Sequence, residues 1–103
     1  MPAVSEDIKW GNNLVFSVGN RMFFITSLEQ PIKYSFKVKE DEFEELCATG
    51  NYSPAPYLAR ANWVLINSTA TITTEEFKER VSQSYELVKN RLTKKEKSLL
   101  GIT

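Results

Sequence analysis

Apolar positions along the chain change their period several times, and each change marks an element. Leu14-Val15-Phe16-Ser17-Val18 and Met22-Phe23-Phe24-Ile25-Thr26-Ser27-Leu28 are aromatic and β-branched runs split by Gly19-Asn20-Arg21. Two such runs around a Gly-Asn pair predict a β-hairpin. Glu29-Gln30-Pro31 breaks the second run. Beyond it, Ile32, Tyr34, Phe36 and Val38 alternate with Lys33, Ser35, Lys37 and Lys39. Period two predicts a third strand, with the apolar set on one face and the lysines on the other. That pattern leaves one sheet face buried and the other at least partly wet.

At Glu40 the spacing becomes helical. Phe43, Leu46 and Cys47 fall on one stripe, acids crowd the first turn, and Gly50 supplies a stop, so a helix is predicted over Glu40–Ala48. Ser53-Pro54-Ala55-Pro56 reads as extended and turn-like. Asn62–Asn67 reads as a strand, and Tyr57–Ala61 reads either as a strand or as a wing leading into it. Ser68–Thr71 is polar and loop-like. Thr73 with Glu76 is the spacing of a capping box, and Phe77, Val81, Ser84 or Tyr85, Val88 and Leu92 carry the stripe of a long helix. Thr93 with Glu96 repeats the box before a short basic helix that ends at Gly101. The order predicts an α+β fold with an antiparallel sheet and helices packed on one face, formed by residues 1–103 as a single domain.

Composition removes several chemistries. The 103 residues include no histidine and one cysteine, Cys47. Ser-His-Asp and Cys-His nucleophilic pairs, histidine-bearing zinc sites and an intrachain disulfide are therefore excluded. The glycines are isolated, so no phosphate-cradling loop is present. Cys47 sits on an apolar stripe and reads as a structural thiol. Glu40, Asp41, Glu42, Glu44 and Glu45 would suit a hard cation, yet they lack calcium-hand spacing and read as a solvated helix turn. No cofactor or metal is expected. With no apolar run long enough to span a bilayer and no signal-peptide pattern at the start, the expectation is a cytoplasmic protein without membrane contact.

Net charge is zero, from 13 basic and 13 acidic residues, which argues against an indiscriminate polyanion binder. The distribution is uneven. Residues 1–52 hold 5 basic and 8 acidic side chains, and residues 53–103 hold 8 and 5. From Lys89 onward, Lys89, Arg91, Lys94, Lys95 and Lys97 face Glu96 alone. Lys33, Lys37 and Lys39 share a strand face, Arg21 sits at a hairpin tip, and Arg60 precedes Trp63 by three residues. Cations of this kind neutralise phosphates, and aromatics near a hairpin tip can reach a groove or stack on bases. The plainer reading is a solvated surface, with Trp63 in the core.

Several segments in order resemble the MmcQ/YjbR family. They are Glu6-Asp7-Ile8-Lys9-Trp10-Gly11, then Leu14–Phe23, Pro54–Val64, Ser84–Val88, and Leu92-Thr93-Lys94-Lys95. The resemblance runs from about Pro2 to Glu96. It implies a CyaY-like fold and a non-enzymatic bacterial DNA-binding role through a double-wing arrangement. The tip at Asn20 and Arg21 would form one wing, and the segment from Tyr57 to Trp63 the other. Lys37, within Ser35-Phe36-Lys37, matches a position usually lysine in the family. On this reading Arg21, Lys37, Lys39, Arg60, Lys94 and Lys95 meet phosphate, with Trp63 as a wing or support residue. The chain departs from the family pattern where Tyr57, Ala61 and Asn62 stand in place of a histidine or further lysine, and where Thr93 replaces a proline. The family's opening helix is also missing ahead of Pro2, which is expected to leave apolar sheet surface open to a homodimer contact, or to lower stability. An alternative function is a protein-interaction module that ignores nucleic acid. A weaker one is an iron handler of the frataxin type, suggested by the acids at Glu40–Glu45.

Overall fold

The computed structural model describes residues 3–68 and 72–101. Part of the expected loop at Ser68–Thr71 lies outside the described residues, from position 69 on.

Six strands pair antiparallel throughout: β1 (Val4–Lys9), β2 (Asn13–Val18), β3 (Arg21–Ser27), β4 (Tyr34–Lys37), β5 (Tyr52–Pro54) and β6 (Trp63–Ile66), in the spatial order β1-β2-β3-β4-β6-β5. Three helices, α1 (Glu40–Ala48), α2 (Thr74–Lys89) and α3 (Lys94–Leu99), complete the α+β fold. The hairpin, the lysine-bearing strand and all three helices lie where the sequence pattern puts them.

The Gly-Asn turn works through its backbone. Gly19 and Asn20 have φ of 58° and 63° between the paired residues Val18 and Arg21. Two successive left-handed residues are the requirement of a tight hairpin turn with matching twist. Gly19 meets a second demand, because a Cβ there would lie 2.7 Å from Leu92 Cδ2. The turn is thus pressed against the α2–α3 junction.

A register shift follows. Phe16 pairs with Phe24 but Ser17 pairs with Met22, so Phe23 is an extra residue on β3. A bulge of this kind redirects side chains. Here it lets two consecutive phenylalanines enter the same core. Phe23 packs edge-on to Tyr85 at 5.3 Å, and Phe24 edge-on to Phe77 at 5.8 Å. Val18, Phe36, Val38, Val64 and Val88 fill the rest of this layer between sheet and helices.

Ser84 joins α2 to the sheet. Its hydroxyl, fully buried, accepts from the Lys37 backbone N–H at 2.9 Å and donates to the Phe23 carbonyl at 2.6 Å. The bulge ends the β3–β4 ladder early, and the serine satisfies the two groups left over.

The N-terminal caps differ. Thr93 and Glu96 form the full reciprocal box. Thr73 accepts from the Glu76 N–H, but the Glu76 carboxylate turns instead to the Tyr52 hydroxyl at 2.8 Å. The box expected at α2 is therefore one-sided, because a buried phenol claims its second half.

The second sheet face, expected to be at least partly wet, is roofed over part of its area and open over the rest. Val15, Ile25, Ala55 and Trp63 form a smaller buried cluster there, backed by Met22 and Leu58. The segment from Ala55 to Asn62 folds over it.

Candidate nucleic-acid interface

The covering loop is held by its own backbone. Ala55 N–H donates to the Trp63 carbonyl, Leu58 N–H to Ala55, and Trp63 N–H to Leu58. Residues Ala59–Ala61 form a short 3-10 turn, so the segment left open between strand and wing is neither a strand nor an extended arm. Asn62 ends that turn at φ 63°, a conformation asparagine tolerates.

Lys37 locks the loop from beneath. Period two correctly puts its side chain opposite Phe36, but that face is roofed, and Lys37 is only 8% exposed. Its Nζ donates to the Ala61 carbonyl at 2.5 Å. Burial lowers the ammonium pKa below its usual value, and the neighbouring Arg91 guanidinium adds to that. Its cross-strand partner Trp63 is 4% exposed and packs in the cluster under the loop. The two residues thus support the loop's position, and neither lies on its outer surface. The three lysines read as one sheet face do not form a stripe. Lys33 and Lys39 are exposed, Lys37 is buried, and Lys39 has left the sheet to sit at the N-cap of α1.

The other expected cations are exposed, and the topology brings them to one end of the sheet. Antiparallel pairing puts the start of β3, the end of β4 and the start of β6 side by side. Arg21 opens β3. Lys39 follows β4, where the Val38 N–H donates to the Asn62 carbonyl. Arg60 lies in the 3-10 turn next to Ala61, the residue bonded by Lys37. Lys94 and Lys95 open α3, which the hairpin turn abuts through Gly19, Leu92 and Leu100. The α3 cap ties these together. The Thr93 backbone N–H, bonded to the Glu96 carboxylate at 3.0 Å, holds that carboxyl below its ordinary range, and Arg21 adds a smaller pull. Arg21, Lys39, Arg60, Lys94 and Lys95 form no ion pair with an acid among the described residues.

The acids of α1 behave otherwise. Glu42 accepts from Arg80 at 3.1 Å and from Gln83. Among the described residues no group of three histidine, cysteine, aspartate or glutamate side chains is placed to hold a metal ion. Cys47 is half-buried against the main core, and burial pushes its thiol pKa up, away from nucleophilic use. Among the described residues no helix is long and apolar enough to cross a membrane.

Of two exposed aromatics, Trp10 was given no site role by the sequence reading, and Tyr57 entered only as the first residue of the second wing segment. Trp10, in the β1–β2 turn, is 65% exposed, and Tyr57, in the loop, is fully exposed. The signal that could have found them is their place in polar, glycine- and proline-flanked turns, where a large aromatic has no core to join.

A six-stranded antiparallel sheet with its helical layer, a roofed second face and a basic end define an α+β protein built like DR2400 of Deinococcus radiodurans. The crystal structure of that protein, with the family-model domain DUF419, superposes with a TM-score of 0.85 at 29% sequence identity, covering 100% of this chain and 81% of that one. The YjbR family model matches residues 1–87. The chain belongs to the YjbR family. No curated protein matches it.

Proposed function

We propose that this chain is a non-enzymatic, cytoplasmic bacterial DNA-binding protein whose contacts are made by the basic end of the sheet. The observation that carries the reading is the convergence of Arg21, Lys39, Arg60, Lys94 and Lys95, contributed by four separate parts of the chain, without neutralising ion pairs among the described residues. Unpaired cations gathered on one surface release counterions when they meet phosphates. Lys37 and Trp63 serve indirectly, by holding the loop that presents Arg60.

The test is fluorescence anisotropy of a labelled duplex, titrated at several salt concentrations. A surface of ~3–5 cations gives a log-log salt slope of roughly −3 to −4. Arg60→Gln should lower the slope by about 1, as loss of one phosphate contact does. Lys37→Met should weaken binding through the loop and leave the slope unchanged. Absence of binding at low salt would overturn the reading and favour a protein-interaction module.

A further inference from the structure

The second sheet face holds an open cleft of about 550 Å³ between the β1–β2 turn and the covering loop. Ile25, Ala55, Pro56 and Leu58 make it apolar, and Trp10 and Tyr57 stand at its rim. Both rim residues have left-handed backbone, with φ of 51° and 66°. Bulky side chains avoid that region, and glycine adopts it freely. The chain thus keeps two large aromatics in solvent, in conformations that disfavour them, beside one cavity. Strain retained without burial in return points to use at a site.

The polar groups of the cleft are neutral. Asn13 and Ser35 line it, and neither side chain bonds to another described residue. The adjoining register row reads Lys9, Asn13, Ser27, Lys33. Lys9 pairs with Asn13, Asn13 with Ser27, and Ser27 N–H donates to the Lys33 carbonyl. Lysines therefore stand at both ends of the row that closes the cleft, and neither forms an ion pair among the described residues. Arg60 lies in the same loop as Tyr57. Asp7 lies one row further in, opposite Val15, which steers an anion toward the lysine row.

We propose that this cleft receives one unpaired nucleobase, stacked on Trp10 and Tyr57, with its edge hydrogen-bonded by Asn13 and Ser35 and its flanking phosphates on Lys9 and Lys33. Aromatic faces stack on any base, and neutral amide and hydroxyl groups match its edge. An apolar pocket with few convergent polar groups is the usual form of a ligand site. The inference rests on the nucleic-acid reading and narrows its substrate to strands that offer a base out of the duplex.

The experiment compares three labelled probes with the full chain: a short single strand, a fully paired duplex, and that duplex with a one-base bulge. Tryptophan emission is followed alongside anisotropy, because Trp10 is exposed and Trp63 is not. The single strand and the bulged duplex should bind about tenfold tighter than the paired duplex and quench the emission. Trp10→Gly and Tyr57→Gly should each remove most of that preference, at a melting temperature equal to or above the parent's, since glycine relieves the left-handed backbone. Trp10→Phe and Tyr57→Phe should keep it. Equal affinity for all three probes would overturn the cleft while leaving the basic end intact. A preference that survives both glycine variants would likewise overturn it. Failure to bind any probe would overturn both readings.

Discussion

At the scale of single residues, Ser84 and Tyr52 do the work that the backbone leaves undone. Ser84 satisfies a buried N–H and a buried carbonyl that the bulge at Phe23 strands. Ser84→Ala should therefore cost about 2–3 kcal/mol of unfolding free energy, more than loss of one ordinary hydrogen bond, because two groups lose their partner together. Urea denaturation measures it. Tyr52 acts on pH dependence. Burial first, and then its hydrogen bond to Glu76, push the phenol pKa up to about 12 from 10.0. In that window the unfolded chain has lost a proton that the folded chain keeps, so stability falls as pH rises through it. Below about pH 10 the contribution is intact. Tyr85 shifts in the same direction, and Lys37, whose pKa is lowered, in the opposite one. A single substitution separates them: Tyr52→Phe should flatten the alkaline decline of the melting temperature between about pH 10 and about pH 12.

At the scale of elements, the tight turn and the covering loop fix the surface. Gly19 carries a left-handed φ and lies within 2.7 Å, measured from its would-be Cβ, of the buried Leu92 side chain. Gly19→Ala should destabilise the fold by about 1–3 kcal/mol, read by thermal unfolding, from backbone strain and displacement of Leu92 together. The elements that were legible in the sequence are those whose pattern matches one face. β4 alternates cleanly, α2 and α3 carry threonine caps, and the hairpin has its Gly-Asn pair. β1 was not legible, because Glu6 interrupts the alternation of Val4 and Ile8, and the strand exists through its ladder with β2. β5 has three residues, too few for any period. Alternation also told which way Lys37 points without telling what covers that face. The roof comes from a loop whose tertiary position no local period encodes. The same gap hid the pairing of Trp10 with Tyr57 at one cleft, which a turn and a loop distant in sequence border together. Arg21, Lys39, Arg60, Lys94 and Lys95 were readable one by one as exposed cations. Their gathering at one end follows from strand order and from the packing of the hairpin turn against the α2–α3 junction.

At the scale of the whole molecule, zero net charge coexists with a basic end, so affinity for polyanions depends on orientation rather than on overall attraction. The helix side also keeps an apolar groove of about 390 Å³ lined by Val4, Phe16, Phe23, Phe24 and Val81. We propose that a second copy can seat there. Sedimentation should then show association that rises with concentration and is lost in Val81→Glu, and a monomer at every concentration would contradict it. Val4 pairs with Val18 and Val18 with Arg21, so the groove adjoins the basic end. The central claim, that nucleic acid meets this chain at that end, is tested most directly by mapping backbone amide shifts in nuclear magnetic resonance as a short duplex is added. Shifts should concentrate at Arg21, Lys39, Arg60, Lys94 and Lys95 and fade as salt rises. Shifts confined to the acidic face of α1, or none at low salt, would contradict the account.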